Sequence, residues 1–371
     1  KDSDDPDGAR ELLRRAMKFR NRITRRERLV LDLAIATMDR RTDEARRIAR
    51  TLKADYHEPR AYVYLAADAA RNGKSAEAES IYREWIAADP NSALAYNTLG
   101  YMAAYRGDFR SAVVNLKKYA FMAPDEANPF DSLGEISCAS GDYDAAIASL
   151  RHAIQIKPDF AAPYEHLGLA YSGKGDYVRA RQSYEKAYAM QTSPGQKLRV
   201  ALDLFLLAQR QRDPKFAQEI VDRVEAIGKE PATSSAILLE AYELSSEGRY
   251  REALARLSQF SPPAIGDPQE AESYRRGIQL LRGRIEFNAG HFREAAALLE
   301  PNLPALEKVQ SIPDLLYGMR YRALLARSLA RMGQIERAER LLAVNQRLNP
   351  HLPETVEAAA EVSRLGAKAA S

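Results

Sequence analysis

Apolar positions between Pro59 and Pro158 recur with two nested periods. Locally they step by three and four; over the whole stretch they return about every 34 residues. One column reads Tyr62, Tyr96 and Phe130, with Tyr164 just beyond; another reads Leu65, Leu99, Leu133 and Leu167. Small residues follow at Ala66, Gly100, Gly134 and Gly168, glycines at Gly73, Gly107, Gly141 and Gly175, and prolines at Pro90, Pro124 and Pro158. The second half of each row has its own columns, Ala78, Ala112, Ala146 and Ala180 with Tyr82, Leu116, Leu150 and Tyr184. Steps of three and four put each set on one helical face, so every row predicts two helices. The small column lets the second helix approach the first. The Gly73 column suits the left-handed residue that ends a helix. Asp108, Asp142 and Asp176 suit N-caps, and the prolines stop the second helix.

Weaker rows flank this stretch. Leu29, Leu33 and Ala36 face Ala45, Ile48, Ala49 and Leu52 in a degenerate first row. Thr192 to Gly195 breaks the register, and looser rows follow through Phe205 and Phe216, Leu238 and Tyr250, Ile285 and Phe292, and Leu325 and Ile335. A Pro- and Gly-bearing loop is expected at Ser261 to Pro268, and larger rows are expected in the C-terminal half. The expected divisions are a loose, basic N-terminal arm with a short helix (1–26), a regular array (27–192), a degenerate array (193–350), and a capping helix with tail (351–371). They form one continuous body. One hairpin cannot bury its apolar face alone, so rows must stack, and the fold class is all-α.

This pattern of aromatic, Leu-Gly, Gly-x-Tyr/Phe, Ala and Pro resembles the tetratricopeptide repeat (TPR), as found in bacterial arrays. The resemblance implies a right-handed superhelical solenoid of about nine hairpins plus the C-terminal cap. It also implies that first helices line a concave groove that holds a protein or peptide segment. The groove columns name Tyr64, Asn97, Tyr101, Tyr105, Asn128, Asp131, Glu135, Glu165 and His166. Tyrosines offer large contact area with a polar tip. The acids make a basic or polar segment the expected ligand. The cations with which one TPR subclass grips a terminal carboxylate are absent: the matching positions hold Asn97, Tyr101, Ser132, Ala162 and His166.

Composition adds limits. Fifty-five Lys and Arg oppose 51 Asp and Glu, a mild +4 balance that does not by itself point to nucleic acid. The single cysteine excludes an internal disulfide, and no apolar run suggests membrane insertion. Gly73-Lys74-Ser75 lacks the earlier glycine of a phosphate loop, since position 68 is Asp68. The five histidines show no ligand spacing, so no metal, cofactor or catalytic residue is assigned. Cys138 and His166 read as a buried thiol beside a groove histidine. Arginines between Arg14 and Arg28 read as a solvated arm. Arg282, Arg284, Arg320, Arg322 and Arg327 form a candidate basic surface on C-terminal first helices. The chain opens on Lys1, from which a removed signal peptide or an upstream domain is expected; the compartment, cytoplasm or periplasm, and the oligomeric state stay open. The reading is a non-catalytic interaction scaffold. The alternatives are a recognition arm of a larger signalling or envelope protein and a nucleic-acid binder through the Arg-rich half.

Overall fold

The structure, a computed structural model, describes residues 6–228, 232–260, 268–307, 309 and 311–370. The expected loop at Ser261 to Pro268 lies almost wholly outside the described residues, as does the start of the N-terminal arm. Among the described residues the secondary structure is helical throughout, with no strand. The helices separate into two compact units, one ending at Met102 and one beginning at Ala103.

The first unit holds α1 (Pro6–Met17), α2 (Arg25–Met38), α3 (Thr42–Tyr56), α4 (Pro59–Arg71), α5 (Ser75–Ala88) and most of α6 (Ala93–Tyr105). Thr24 and Glu27 open α2 with a reciprocal capping box. The apolar faces of α2 to α6 meet in one core containing Leu33, Ile48, Leu52, Tyr62, Leu65, Tyr82 and Leu99. Trp85 anchors it between two stacked rings, Tyr62 at 5.6 Å and Tyr82 at 6.4 Å. Gly73-Lys74 is the corner between α4 and α5.

The second unit continues with α7 (Phe109–Met122), α8 (Ala127–Ser140), α9 (Tyr143–Ile156), α10 (Ala161–Gly173), α11 (Tyr177–Met190), α12 (Pro194–Gln211), α13 (Pro214–Glu225), α14 (Ala232–Ser246) and α15 (Tyr250–Ser258). Then come α16 (Pro268–Asn288), α17 (Phe292–Leu299), a 3-10 segment (Glu300–Glu307), α18 (Ile312–Arg331), α19 (Ile335–Leu348) and α20 (Pro353–Ala370). Consecutive helices from α8 to α19 pair as antiparallel hairpins. The extra residues of the C-terminal rows lie in first helices: α16 has 21 residues and α18 has 20, whereas α15 and α17 have 9 and 8. The register break near Gly195 does not interrupt the core. Leu150, Leu167 and Tyr184 before it join Leu198, Leu204, Phe205 and Ile220 after it in one cluster. At the far end α20 lays Ala358 and Val362 onto Leu325, Leu329 and Leu342. Glu361 anchors it there through Arg327 and Arg331.

Two glycine columns do different physical work. Gly107, Gly141 and Gly175 have φ of +75°, +83° and +78° and turn the chain between helices. After each, an aspartate accepts the amide of the third residue on: Asp108 from Ser111, Asp142 from Ala145, Asp176 from Arg179. Gly134 and Gly168 instead sit mid-helix and admit a neighbour. A Cβ at Gly134 would stand 2.3 Å from Leu150 Cγ, and one at Gly168 2.6 Å from the Tyr184 ring. Gly134→Ala is therefore expected to lower stability by about 1–3 kcal/mol through overpacking. Gly175→Ala, where the new methyl meets nothing within 4 Å, is expected to cost about 1 kcal/mol through backbone strain alone. Urea midpoints measure both; equal shifts would deny the close helix contact.

Candidate functional site

In the second unit the expected groove residues stand on α8 and α10, with Tyr105 at the end of α6, and the same unit supplies what lies against them. The Asn349 side-chain amide donates to the Cys138 carbonyl at 3.3 Å, and the Tyr143 hydroxyl to the His351 carbonyl at 3.5 Å. Arg210 of α12 reaches Glu354 of α20 at 2.7 Å, and Arg320 of α18 approaches the same carboxylate at 3.4 Å. Ile312, Leu316 and Tyr317 of α18 face Leu169, Leu202 and Leu206 of α10 and α12 across a cavity of about 430 Å³.

The acids of this wall are largely committed. His166 donates Nδ1–H to Asp131 at 2.8 Å and turns Nε2 toward Glu135 at 3.8 Å. Glu165 pairs with Arg199, one repeat further on. Asp131 and Glu165 are buried, so neither is an open acid for a basic ligand. Burial alone would lower the His166 pKa, but the Asp131 carboxylate in contact with it, helped by Glu135, raises it to about 9. Burial likewise opposes ionisation of Glu354, yet Arg320 and Arg210 pull it down to about 2. Asp203, beside them on α12, is pushed upward by burial against the partial relief of Arg320 and Arg199. Cys138 is fully enclosed, and its Sγ lies 3.5 Å from the His166 carbonyl while the imidazole faces Asp131. Burial raises the thiol far above its ordinary range, which leaves it unsuited to attack.

The remaining expected residues are dispersed. Asn128 is exposed and donates to the Tyr119 hydroxyl at 3.1 Å. Tyr105, half-buried, stands near Glu135 and Asp314. The C-terminal arginines do not form one open basic surface. Arg284 lies on the Tyr242 ring, Arg327 on Phe287 with Glu361 as its partner, and Arg320 turns to Glu354. Arg322 is half-buried, and Arg282 is exposed. The missed interactions had a signal in the sequence: Glu165 and Arg199, Asp131 and His166, and Arg327 and Glu361 are opposite charges one repeat apart.

The first unit offers a trough of about 1410 Å³ between α1, α2 and α4. Val30, Ala34, Val63, Tyr64 and Ala67 line its wall, with Leu13 and Phe19 along one side and Leu94 at one end. Tyr64 donates to the Thr42 carbonyl at 3.3 Å. Asn97 and Tyr101 stand on α6 outside the trough. Arg26 and Arg60 share the buried Glu58 at 2.7 and 3.2 Å. Arg46 and Arg71 share Asp68 at 2.8 and 3.7 Å. Each buried acid thus serves two arginines; among the residues that line the trough Arg26, Arg60 and Arg71 exceed Glu27 and Glu58 by one positive charge, while Arg46, set back from it, also pairs with Asp43 at 2.9 Å.

Two family models match within the second unit: one described as TPR repeat over residues 134–175, the other as tetratricopeptide repeat over 161–193. The chain contains tetratricopeptide repeats. Curated proteins give no match. Among solved structures, a tetratricopeptide repeat protein from Parabacteroides merdae is 15% identical with a TM-score of 0.50, over 69% of this chain and 96% of that one. PilF of Pseudomonas aeruginosa is 20% identical with a TM-score of 0.43, over 64% and 99%. MamA is 24% identical with a TM-score of 0.40, over 45% and 96%. The first of these shares the TPR fold; such likeness carries no activity with it. Among the described residues no group of His, Cys, Asp and Glu is arranged to hold a metal ion, and no helix is long and apolar enough to cross a membrane.

The charge network makes the stability of the second unit pH-dependent on two sides. Glu354 is depressed in the fold, so its contribution is complete above its ordinary 4.5 and disappears as pH falls toward about 2. His166 is raised, so its contribution is complete below 6.5 and disappears as pH rises through about 9. Glu354→Gln is expected to lower stability at pH 7 by roughly 2–3 kcal/mol and to flatten the acid limb. His166→Gln is expected to flatten the alkaline limb. Thermal melts between pH 3 and 10 read both effects; limbs unchanged in the variants would refute the assignment.

Proposed function

We propose that this TPR chain is a protein-interaction module that seats a segment of its partner in the first-unit trough. The trough itself carries the reading. Its wall is apolar, it is long enough to take several side chains, and the positive rim calls for a partner whose apolar face is flanked by Asp or Glu. An amphipathic segment with acidic margins has that chemistry. The expectation of a basic ligand came from acids that His166, Arg199 and their neighbours neutralise internally. Tyr64 supplies the aromatic contact, while Arg60 and Arg71, both largely exposed, supply the charge.

A photo-reactive residue placed at Tyr64 is expected to form an adduct with a second protein in the cells that make this chain. The same residue at the exposed Val178 is the control. Reversing charge with Arg60→Glu and Arg71→Glu together is expected to reduce the adduct at least tenfold while far-UV CD stays unchanged. Equal adducts at positions 64 and 178, or an adduct indifferent to charge reversal, would reject the trough as the site.

A further inference from the structure

The basic stretch at the start of the first unit is only partly used by the fold. Between Arg10 and Arg28 the chain places nine Lys and Arg against two acids, Glu11 and Glu27. Four of the cations have carboxylate partners: Arg14 with Glu11, Arg20 with Asp32 at 2.6 Å, Arg25 with Asp55 at 3.9 Å and Arg26 with Glu58 at 2.7 Å. Glu27 is taken by the cap of α2. Arg15, Lys18 and Arg22 are exposed, and among the described residues none of the three pairs with a carboxylate; Arg22 instead lies 6.0 Å from the centre of the Phe19 ring. The other acids of this part of the sequence, Asp2, Asp4, Asp5 and Asp7, precede Arg10. Asp7 stands in the first turn of α1, whose 12 residues span about 18 Å, roughly twice the screening length at physiological salt, so it does little to offset charge at the far end. The same segment exposes apolar side chains. Leu12 is 65% exposed, Phe19 54% and Met17 37%; among the described residues of the first unit, Leu94 is the one other large apolar side chain left open. Leu12, Arg15, Phe19 and Arg22 follow one another in steps of three, four and three, which sets them along one edge of α1 and its turn. Leu13 and Ala16, next round the helix, line the trough, and Phe19 borders both surfaces.

From this edge we propose that α1 and its turn dock on an anionic membrane surface. The helix lies in the plane of the interface. Leu12 and Phe19 enter the boundary between headgroups and acyl chains, while Arg15, Lys18 and Arg22 meet lipid phosphates. Charge complementarity selects an anionic surface, and the apolar side chains select a membrane over other polyanions. A phosphodiester backbone rewards the three cations but leaves Leu12 in water. An acidic protein would have to bring an apolar patch in register with its carboxylates, a combination that an anionic bilayer presents everywhere on its surface. At 12 residues α1 is too short to span a bilayer, so the contact is with one leaflet. Leu12, Arg15, Lys18 and Arg22 do not line the trough, so this surface is separate from the one that seats a partner segment.

The test is co-sedimentation of the full chain with vesicles, either equimolar phosphatidylcholine and phosphatidylglycerol or phosphatidylcholine alone. The anionic vesicles are expected to capture the protein at least tenfold more tightly than the neutral ones, and high salt to weaken that capture. Arg15→Glu, Lys18→Glu and Arg22→Glu together are expected to weaken it at least tenfold with far-UV CD and melting temperature unchanged. The control carries the same change in net charge elsewhere, at the exposed Lys117, Lys186 and Arg251, and is expected to lose much less. Leu12→Ser is expected to weaken capture severalfold, which a purely electrostatic contact would not show. A DNA duplex is expected to bind more weakly than the anionic vesicles and to be indifferent to Leu12→Ser. Equal capture by both kinds of vesicle, a triple variant that loses no more than its control, indifference to Leu12→Ser, or tight duplex binding by a protein that leaves vesicles in solution would overturn the proposal. The adduct at position 64 reports on the trough by itself, so failure of either reading is told apart from failure of the other.

Discussion

Close approach of one helix to the next, at positions where the first has no side chain, is the interaction on which the repeats depend. Leu150 and Tyr184 lie so near Gly134 and Gly168 that a methyl group would not fit. Without that approach the apolar stripe of each second helix would lose its partner, and a single hairpin buries too little surface to stand alone. The glycines at the corners serve the same end from outside, by reversing the chain sharply enough for the two stripes to face each other. Packing therefore runs from row to row. It explains why a register slip at Gly195 leaves the core continuous from Leu150 to Ile220.

The repeat arithmetic made the hairpins legible. Column agreement over four rows marked the corners at Gly107, Gly141 and Gly175, the caps at Asp108, Asp142 and Asp176, and the stop before each proline, because each rests on local backbone chemistry. The site was far less legible. Groove columns say which way a side chain leaves its own helix, and nothing about what the rest of the chain brings to meet it. Asp131 and Glu165 have the column positions of open acids, yet His166 and Arg199 consume them. The Arg210–Glu354 pair spans 144 residues and belongs to no column. Opposite charges separated by one repeat were readable in principle; the packing of α18 and α20 against earlier helices was not.

The two units differ in how they treat their first helices. In the second unit α18 stands before α8, α10 and α12, and what remains is a small cavity whose lining carboxylates face Arg199, Arg276, Arg320 and His166. In the first unit the walls are apolar and the charge sits at the rim, two arginines to each buried acid. The framework glycines and leucines do not dictate the residues between them, so the two units line their first helices differently.

The Asn349 contact has a kinetic meaning. It joins the end of α19 to a carbonyl 211 residues earlier, whereas hairpin contacts join near neighbours. A nascent chain emerging from the ribosome can complete its hairpins one after another, but this seam waits until the 211 residues after Cys138 have been synthesised. Ends that meet across so long a loop close slowly. During translation α8 and α10 therefore stand uncovered while those residues are added, which makes that interval the one in which a chaperone or an early partner has access to them.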